Sequence, residues 1–162
     1  MDPDAYLCQL AEIFNGISVN TPSLSAIIAI ILAGLLLLAS GFASASEIAF
    51  FSLSPSDLND IEEGNHPSDG KISNLLADSE RLLATILITN NFVNVTIIML
   101  CNFFFMNVFV FHSPLAEFLI LTVILTFLLL LFGEIMPKIY SAQKTLAFCR
   151  FSAPVIYVLR KV

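Results

Sequence analysis

Three stretches of this chain are apolar enough and long enough to cross a bilayer, and the polar residues set inside them are the informative ones. The first span runs from residue 23 to about 51. Its first half, 24–39, is apolar. Its second half reads Ser40-Gly41-Phe42-Ala43-Ser44-Ala45-Ser46-Glu47-Ile48-Ala49, where small and hydroxyl residues recur at close intervals. Ser40 and Ser44 are four apart and share one helix face, while Gly41, Ala43 and Ala45 suit close packing against another helix. The second apolar region is 82–111. As one straight helix it would reach about 45 Å, against a hydrocarbon core of about 30 Å. It carries Asn90, Asn91, Asn94, Asn102 and Asn107, so it is expected to be tilted or broken into shorter helices. Asn90 and Asn94 again share a face; Asn102 and Asn107 suit interhelical hydrogen bonds or the outer surface. The third span covers about 115–142, with a kink expected at Pro137. The pattern predicts an all-α membrane protein of three transmembrane spans, its transmembrane domain covering 23–143.

Between the spans the pattern changes. Residues 1–22 are polar to mildly amphipathic; Leu7, Leu10, Ala11 and Phe14 have helical spacing, which fits a short interfacial helix or a plain tail. Residues 52–80 form the only long polar loop. There Ser54-Pro55-Ser56-Asp57 predicts an N-cap with proline at the first helical position, and Gly64 and Pro67 end that helix. Asp57, Asp60, Glu62 and Glu63 read as a solvated face rather than a metal site, and Ile72, Leu75 and Leu76 suggest a second amphipathic turn. His112-Ser113-Pro114 is a tight turn. After the third span, 144–162 interleaves Phe148, Phe151, Val155, Tyr157 and Val158 with Arg150, Arg160 and Lys161, the pattern of a basic amphipathic juxtamembrane helix lying on the membrane surface.

Composition agrees: of 162 residues, 57% are hydrophobic and 12% charged, and the mean hydropathy is +0.89. The formal net charge of −6 hides an asymmetry. All seven basic residues are Lys71, Arg81, Lys138, Lys144, Arg150, Arg160 and Lys161. Placing them inside predicts an N-terminus outside, loop 52–80 inside, the His112 turn outside and the C-terminal helix inside. Nothing in the chain suggests a nucleic-acid partner. Cys8, Cys101 and Cys149 are odd in number and widely spaced, so no disulfide framework or metal spacing follows. The acidic start Met1-Asp2-Pro3-Asp4 does not read as a signal peptide.

The chemistry gathers around Gly133-Glu134-Ile135-Met136-Pro137-Lys138, directly after the apolar run 118–132. A carboxylate inside a membrane segment costs at least a few kcal/mol and is a functional hypothesis by default. Pro137 lacks the N–H that would bond the Gly133 carbonyl in an α-helix, so a carboxylate and an unserved carbonyl stand side by side. The plainer alternative is a proline kink with Glu134 paired to Lys138 one turn on. Depth can be counted from the inner end of each span. Asn90 is nine residues from Arg81, Glu134 ten before Lys144, and Ser44 and Ser40 eight and twelve before Ser52. All lie about 12–18 Å deep at helical rise. Ser40, Ser44, Asn90, Asn94, Gly133 and Glu134 therefore share one level, with Glu47 and Lys138 as second-layer candidates. Each of those six offers a hard oxygen, and no His or Cys joins them, which argues against zinc, copper and iron. Such donors suit Mg2+, Ca2+ or an alkali ion, with Na+ fitting nearly as well. An intramembrane serine hydrolase would need a base beside Ser40 or Ser44. His66 and His112 lie at opposite ends of the spans, so an enzyme is not expected.

At these residues the chain resembles the transmembrane domain (DUF21) of the CNNM/CorC family of magnesium transporters. The matching pieces are Ser40 to Ala49 as quoted, Ser79-Glu80-Arg81-Leu82-Leu83, Thr85-Ile86-Leu87-Ile88-Thr89-Asn90-Asn91-Phe92-Val93-Asn94, and Phe132-Gly133-Glu134-Ile135-Met136-Pro137-Lys138. Their order and spacing cover most of the chain. The family often has a second aromatic where Ala43 stands and glycine where Thr89 stands; neither change removes a candidate ligand. The resemblance implies a homodimer of three-span protomers in a bacterial inner membrane. It also implies one largely dehydrated Mg2+ per protomer and export coupled to Na+. Nucleotide would be sensed only by a CBS-pair domain, which relatives carry beyond the membrane domain and which is not expected within these 162 residues. The competing expectation is a membrane anchor and signalling module, such as one associated with gliding motility, whose polar layer only holds helices together.

Overall fold

The computed structural model describes residues 18–110 and 114–161. The helix or tail expected on Leu7, Leu10, Ala11 and Phe14, and the His112-Ser113 part of the outer turn, lie outside the described residues. In order, the elements are β1 (Ser18–Val19), α1 (Leu24–Phe51), α2 (Pro55–Glu62), α3 (Asp69–Leu76), α4 (Ser79–Val108), β2 (Phe109–Val110), α5 (Pro114–Leu128), a π-helix (Leu129–Ile135), α6 (Met136–Gln143) and α7 (Thr145–Leu159).

 The last of these, α7, ends at Leu159. The chain is an all-α membrane protein: three helical stretches, Leu24–Phe51, Ser79–Val108 and Glu117–Gln143, are long and apolar enough to cross a bilayer.

The spans pack as membrane helices do. Every buried residue of α1 except Phe50 is Ala, Ser or Gly, while Leu24, Leu35 and Leu38 stay exposed. Lipid is as apolar as leucine, so large side chains gain little by turning inward and small ones let backbones approach. Gly41 shows the closest approach. A Cβ built there would lie 2.9 Å from Pro137 Cγ and 3.4 Å from the Phe132 carbonyl oxygen.

Two expectations become more specific here. The second region is not broken: α4 is one continuous helix of 30 residues. It contains no glycine or proline, and its polar side chains do not compete for a break. Thr85, Thr89 and Thr96 donate to the carbonyl four residues back, and Asn107 does the same through Nδ2 at 2.9 Å to Phe103 O. The helix stops at Val108, and the next two residues pair antiparallel with β1 (Ser18 with Val110, Val19 with Phe109). The third span reaches Pro137 through a π segment. Seven residues before α6 take the wider π pitch, and the Met136 N–H reaches back five residues to Leu131 O. Gly133 lies within this π segment, four residues before Pro137, which has no N–H to offer its carbonyl.

The larger core lies at the end of the bundle that carries the basic residues, hereafter the basic end. Ala49, Phe50, Ile61, Ile72, Leu75, Leu82, Ile86, Cys149, Ala153 and Ile156 form one buried cluster there. As expected, α2 begins with Ser54 as N-cap and Pro55 in the first turn, closed by a reciprocal bond pair with Asp57. It ends before Gly64, whose φ of 69° is left-handed. Part of the apolar face of α7 is turned onto protein, through Cys149, Ala153 and Ile156, while Phe151, Val155 and Val158 remain exposed.

Candidate metal centre

Ser40 and Ser44 are both fully buried on the small-residue face of α1. Ser40 Oγ lies 2.8 Å from Asn90 Oδ1 and 2.6 Å from Asn94 Oδ1, both on α4. Asn90 Nδ2 lies 3.3 Å from Ser44 Oγ. Four side chains from two spans thus form one chain of contacts, Ser44 to Asn90 to Ser40 to Asn94. Three oxygens meet at Ser40, and a hydroxyl brings only one hydrogen to share between two carbonyl-type acceptors. The cluster has a surplus of lone pairs. A positive centre would relieve it. So would turning the Asn90 amide over, which lets Nδ2 donate to Ser40 while Ser44 donates to Oδ1.

The third span closes on the same point. Gly133 is buried, and a Cβ built on it would stand 3.2 Å from Ser40 Oγ. The glycine lets its backbone lie close against the hydroxyl of another span, and a larger residue would make Ser40 give by a few tenths of an ångström. Ser40, Ser44, Asn90, Asn94 and Gly133 are therefore neighbours, contributed by all three spans. Glu134, the next residue of the π-helix, is half-buried. Among the described residues its carboxylate has no hydrogen-bond or ion-pair partner, in the Ser40 cluster or elsewhere.

The plainer pairing of Glu134 with Lys138 is not what forms. Lys138 Nζ lies 3.1 Å from Glu47 Oε2. Glu47 is three residues past Ser44, nearer the basic end, and a lysine stem extends readily in that direction. Glu47 and Lys138 therefore clip span one to span three, and no contact ties them to the oxygen cluster. Pro137 sits against Gly41. One turn further on, buried Ser141 donates to Ala45 O at 2.6 Å. Sequence reasoning missed Ser141; its spacing of four from Pro137 places it on the same face and was the available signal.

A second polar contact was also missed. Asp69, on α3, is 1% exposed and takes a two-pronged bond from Arg150 on α7: Nε to Oδ1 at 2.9 Å and Nη2 to Oδ2 at 3.1 Å. The His66 N–H also donates to Asp69 Oδ2, at 2.9 Å. The Arg150 bond holds the Asp69 carboxyl below the usual carboxylate range, against the opposing effect of burial. An arginine midway along an amphipathic helix was its signal in the sequence, but the partner is 81 residues away.

Among the described residues no group of three or more His, Cys, Asp or Glu side chains gathers. Neutral oxygens from Ser and Asn dominate the mid-span cluster, with Glu134 adjacent in sequence to its member Gly133. Such a set can hold a hard cation weakly, without the charge needed to trap it.

Comparison with known proteins agrees with this architecture. The "UPF0053 protein" of Haemophilus influenzae is 31% identical to the chain over 126 residues, covering 78% of this chain and 29% of that relative. The chain thus spans under a third of the relative's length. The profile of the Cyclin M transmembrane N-terminal domain matches residues 30–162, so the chain belongs to the CNNM/CorC-type family as a multi-pass, membrane-embedded domain.

Proposed function

We propose that this domain carries Mg2+ across the membrane, as a Na+-coupled exporter working as a homodimer in a bacterial inner membrane. The observation that carries the reading is the three-oxygen meeting at Ser40, with one hydrogen for two acceptors. The cargo ion would be held, largely dehydrated, by Ser40, Ser44, Asn90, Asn94, the Gly133 carbonyl and Glu134. Ser40 and the two asparagines supply neutral oxygens that replace lost hydration. Glu134 cancels half of the ion's charge, and in a low-dielectric layer that single charge dominates affinity. One carboxylate leaves binding modest, which suits a site that must release its ion. Family membership and the positive-inside arrangement support an outside N-terminus and an inside α7. Nucleotide sensing would belong to a CBS-pair domain outside the sequence described.

The test is Mg2+-dependent thermal stabilisation of the purified chain. At one hundred times Kd an ion that binds only the folded state adds about 2.7 kcal/mol. Glu134→Gln is expected to abolish this response with the dimer intact, while Ser40→Ala and Asn90→Ala weaken it less. Pro137→Ala tests the π register, because it restores an α-type donor for Gly133; it should weaken the response although no side-chain ligand changes. Mg2+ flux into liposomes, lost in Glu134→Gln, separates transport from binding.

A second reading, an anchoring or signalling module, is favoured by the Ser44–Asn90–Ser40–Asn94 chain itself. With the Asn90 amide turned over it is internally satisfied helix glue, worth about 1 kcal/mol or less per bond. A wild-type chain whose stability ignores Mg2+, and a Glu134→Gln variant that loses only its dimer, would establish that reading instead.

A further inference from the structure

Span three ends at Gln143, and Lys144 makes the corner into α7. Two open grooves meet at this corner. The first, of about 310 Å3, runs between spans one and three, bounded by Leu38, Gly41, Phe132 and Pro137, with Tyr140 and Phe148 at its basic end. No charged side chain lines it. The second, of about 270 Å3, is bounded by Tyr140, Lys144, Ala147, Phe148 and Phe151. Tyr140 and Phe148 belong to both, so the two form one slot, apolar at membrane depth and cationic where the span ends.

The charges around the corner differ in one respect. Lys138 is engaged by Glu47, Arg150 by Asp69 and Arg160 by Asn74, whereas Lys144 has no ion-pair or hydrogen-bond partner for its side chain among the described residues. Tyr140, near the end of α6, lines the second groove together with Lys144. A groove open to hydrocarbon is filled by acyl chains unless protein covers it, and a free ammonium at the end of a span lies at headgroup depth.

We propose that this slot is a binding site for one anionic phospholipid, its acyl chain against Leu38 and Phe132 and its phosphate on Lys144. The site is separate from the mid-span oxygen cluster and does not rest on the transport reading.

Native mass spectrometry of the full chain, equilibrated with equal phosphatidylglycerol and phosphatidylcholine, tests it. Wild type should retain phosphatidylglycerol preferentially. Lys144→Gln should lower that retention about fivefold, the effect of one basic residue at a membrane surface, and leave phosphatidylcholine unchanged; Lys144→Arg should keep the preference. Leu38→Trp narrows the apolar groove and should lower retention of both lipids. If Lys144→Gln does not fold, the wild-type preference must still fall as salt screens the charge. Equal retention of the two lipids by wild type overturns the proposal, as does a salt-independent preference. So does efficient crosslinking of Leu38→Cys between two copies, which would show a second chain covering the groove.

Discussion

Asp69→Asn isolates the ion pair that closes the basic end. The substitution keeps the size and one acceptor oxygen for the His66 N–H, but removes the charge that Arg150 grips at 2.9 and 3.1 Å. Removing one partner of a fully buried pair costs about 3–5 kcal/mol. Here the Arg150 side chain keeps 24% of its exposure and can recover some hydration, which brings the cost to about 2–3 kcal/mol. Cys149 offers the readout. Its thiol is 0% exposed, and burial pushes its pKa up to about 12, so it reacts only when α7 lifts from α3. In a Cys8→Ser, Cys101→Ser background, alkylation of Cys149 then measures that opening. With 1.4 kcal/mol per tenfold, Asp69→Asn should speed it about 30- to 150-fold. The acid dependence follows from the depressed carboxyl: its stabilisation is complete above the ordinary carboxyl value of about 3.9 and is lost as pH falls from there through the lower folded value. Asp69→Asn should remove that dependence. A rate within threefold of wild type would refute the idea that this pair holds the layer shut.

Cys149 also predicts an alkaline limit. Because its folded pKa is raised, neutral burial stabilises fully below about 8.5 and the contribution fades as pH climbs toward about 12. At pH 10 the loss should be about 2 kcal/mol, absent in Cys149→Ala, as urea unfolding at two pH values would show. Two glycines of α1 should respond oppositely to alanine. At Gly34 nothing lies within 4 Å of a new Cβ, so Gly34→Ala should be neutral or stabilise by up to about 1 kcal/mol. Gly41→Ala meets the Pro137 ring at 2.9 Å and should destabilise by about 1–3 kcal/mol; equal melting temperatures for the two would contradict the packing described.

The spans could be read from apolar length alone, and the common level of Ser40, Asn90 and Gly133 from counting residues at a fixed rise, because both depend on geometry that every helix shares. Register and partner choice could not. The π pitch of Leu129–Ile135 reflects how the third span settles on Gly41 and Ser40, a tertiary matter that Pro137 only hints at. Lys138 had two carboxylates within plausible reach, Glu134 and Glu47, and the lower one won. The continuity of α4 was underestimated because five asparagines looked like interruptions, whereas threonines and Asn107 bond back to their own helix. Asp69 carries no local signal of its partner, which reaches it only when α7 is laid over it.

The union of Asp69 with Arg150 also sets an order of events during synthesis. The two residues are 81 positions apart, and all of α4 and the third span is made between them. At about 5–20 residues per second the ribosome needs roughly 4–16 s to cover that distance. For that time Ile72 and Leu75 wait beside an acid with no counter-charge. The layer at the basic end is therefore the last part to assemble, and it can close only after the third span has entered the membrane. A nascent chain stalled before residue 150 should still expose loop 52–80 to protease, and one extended past Leu159 should protect it.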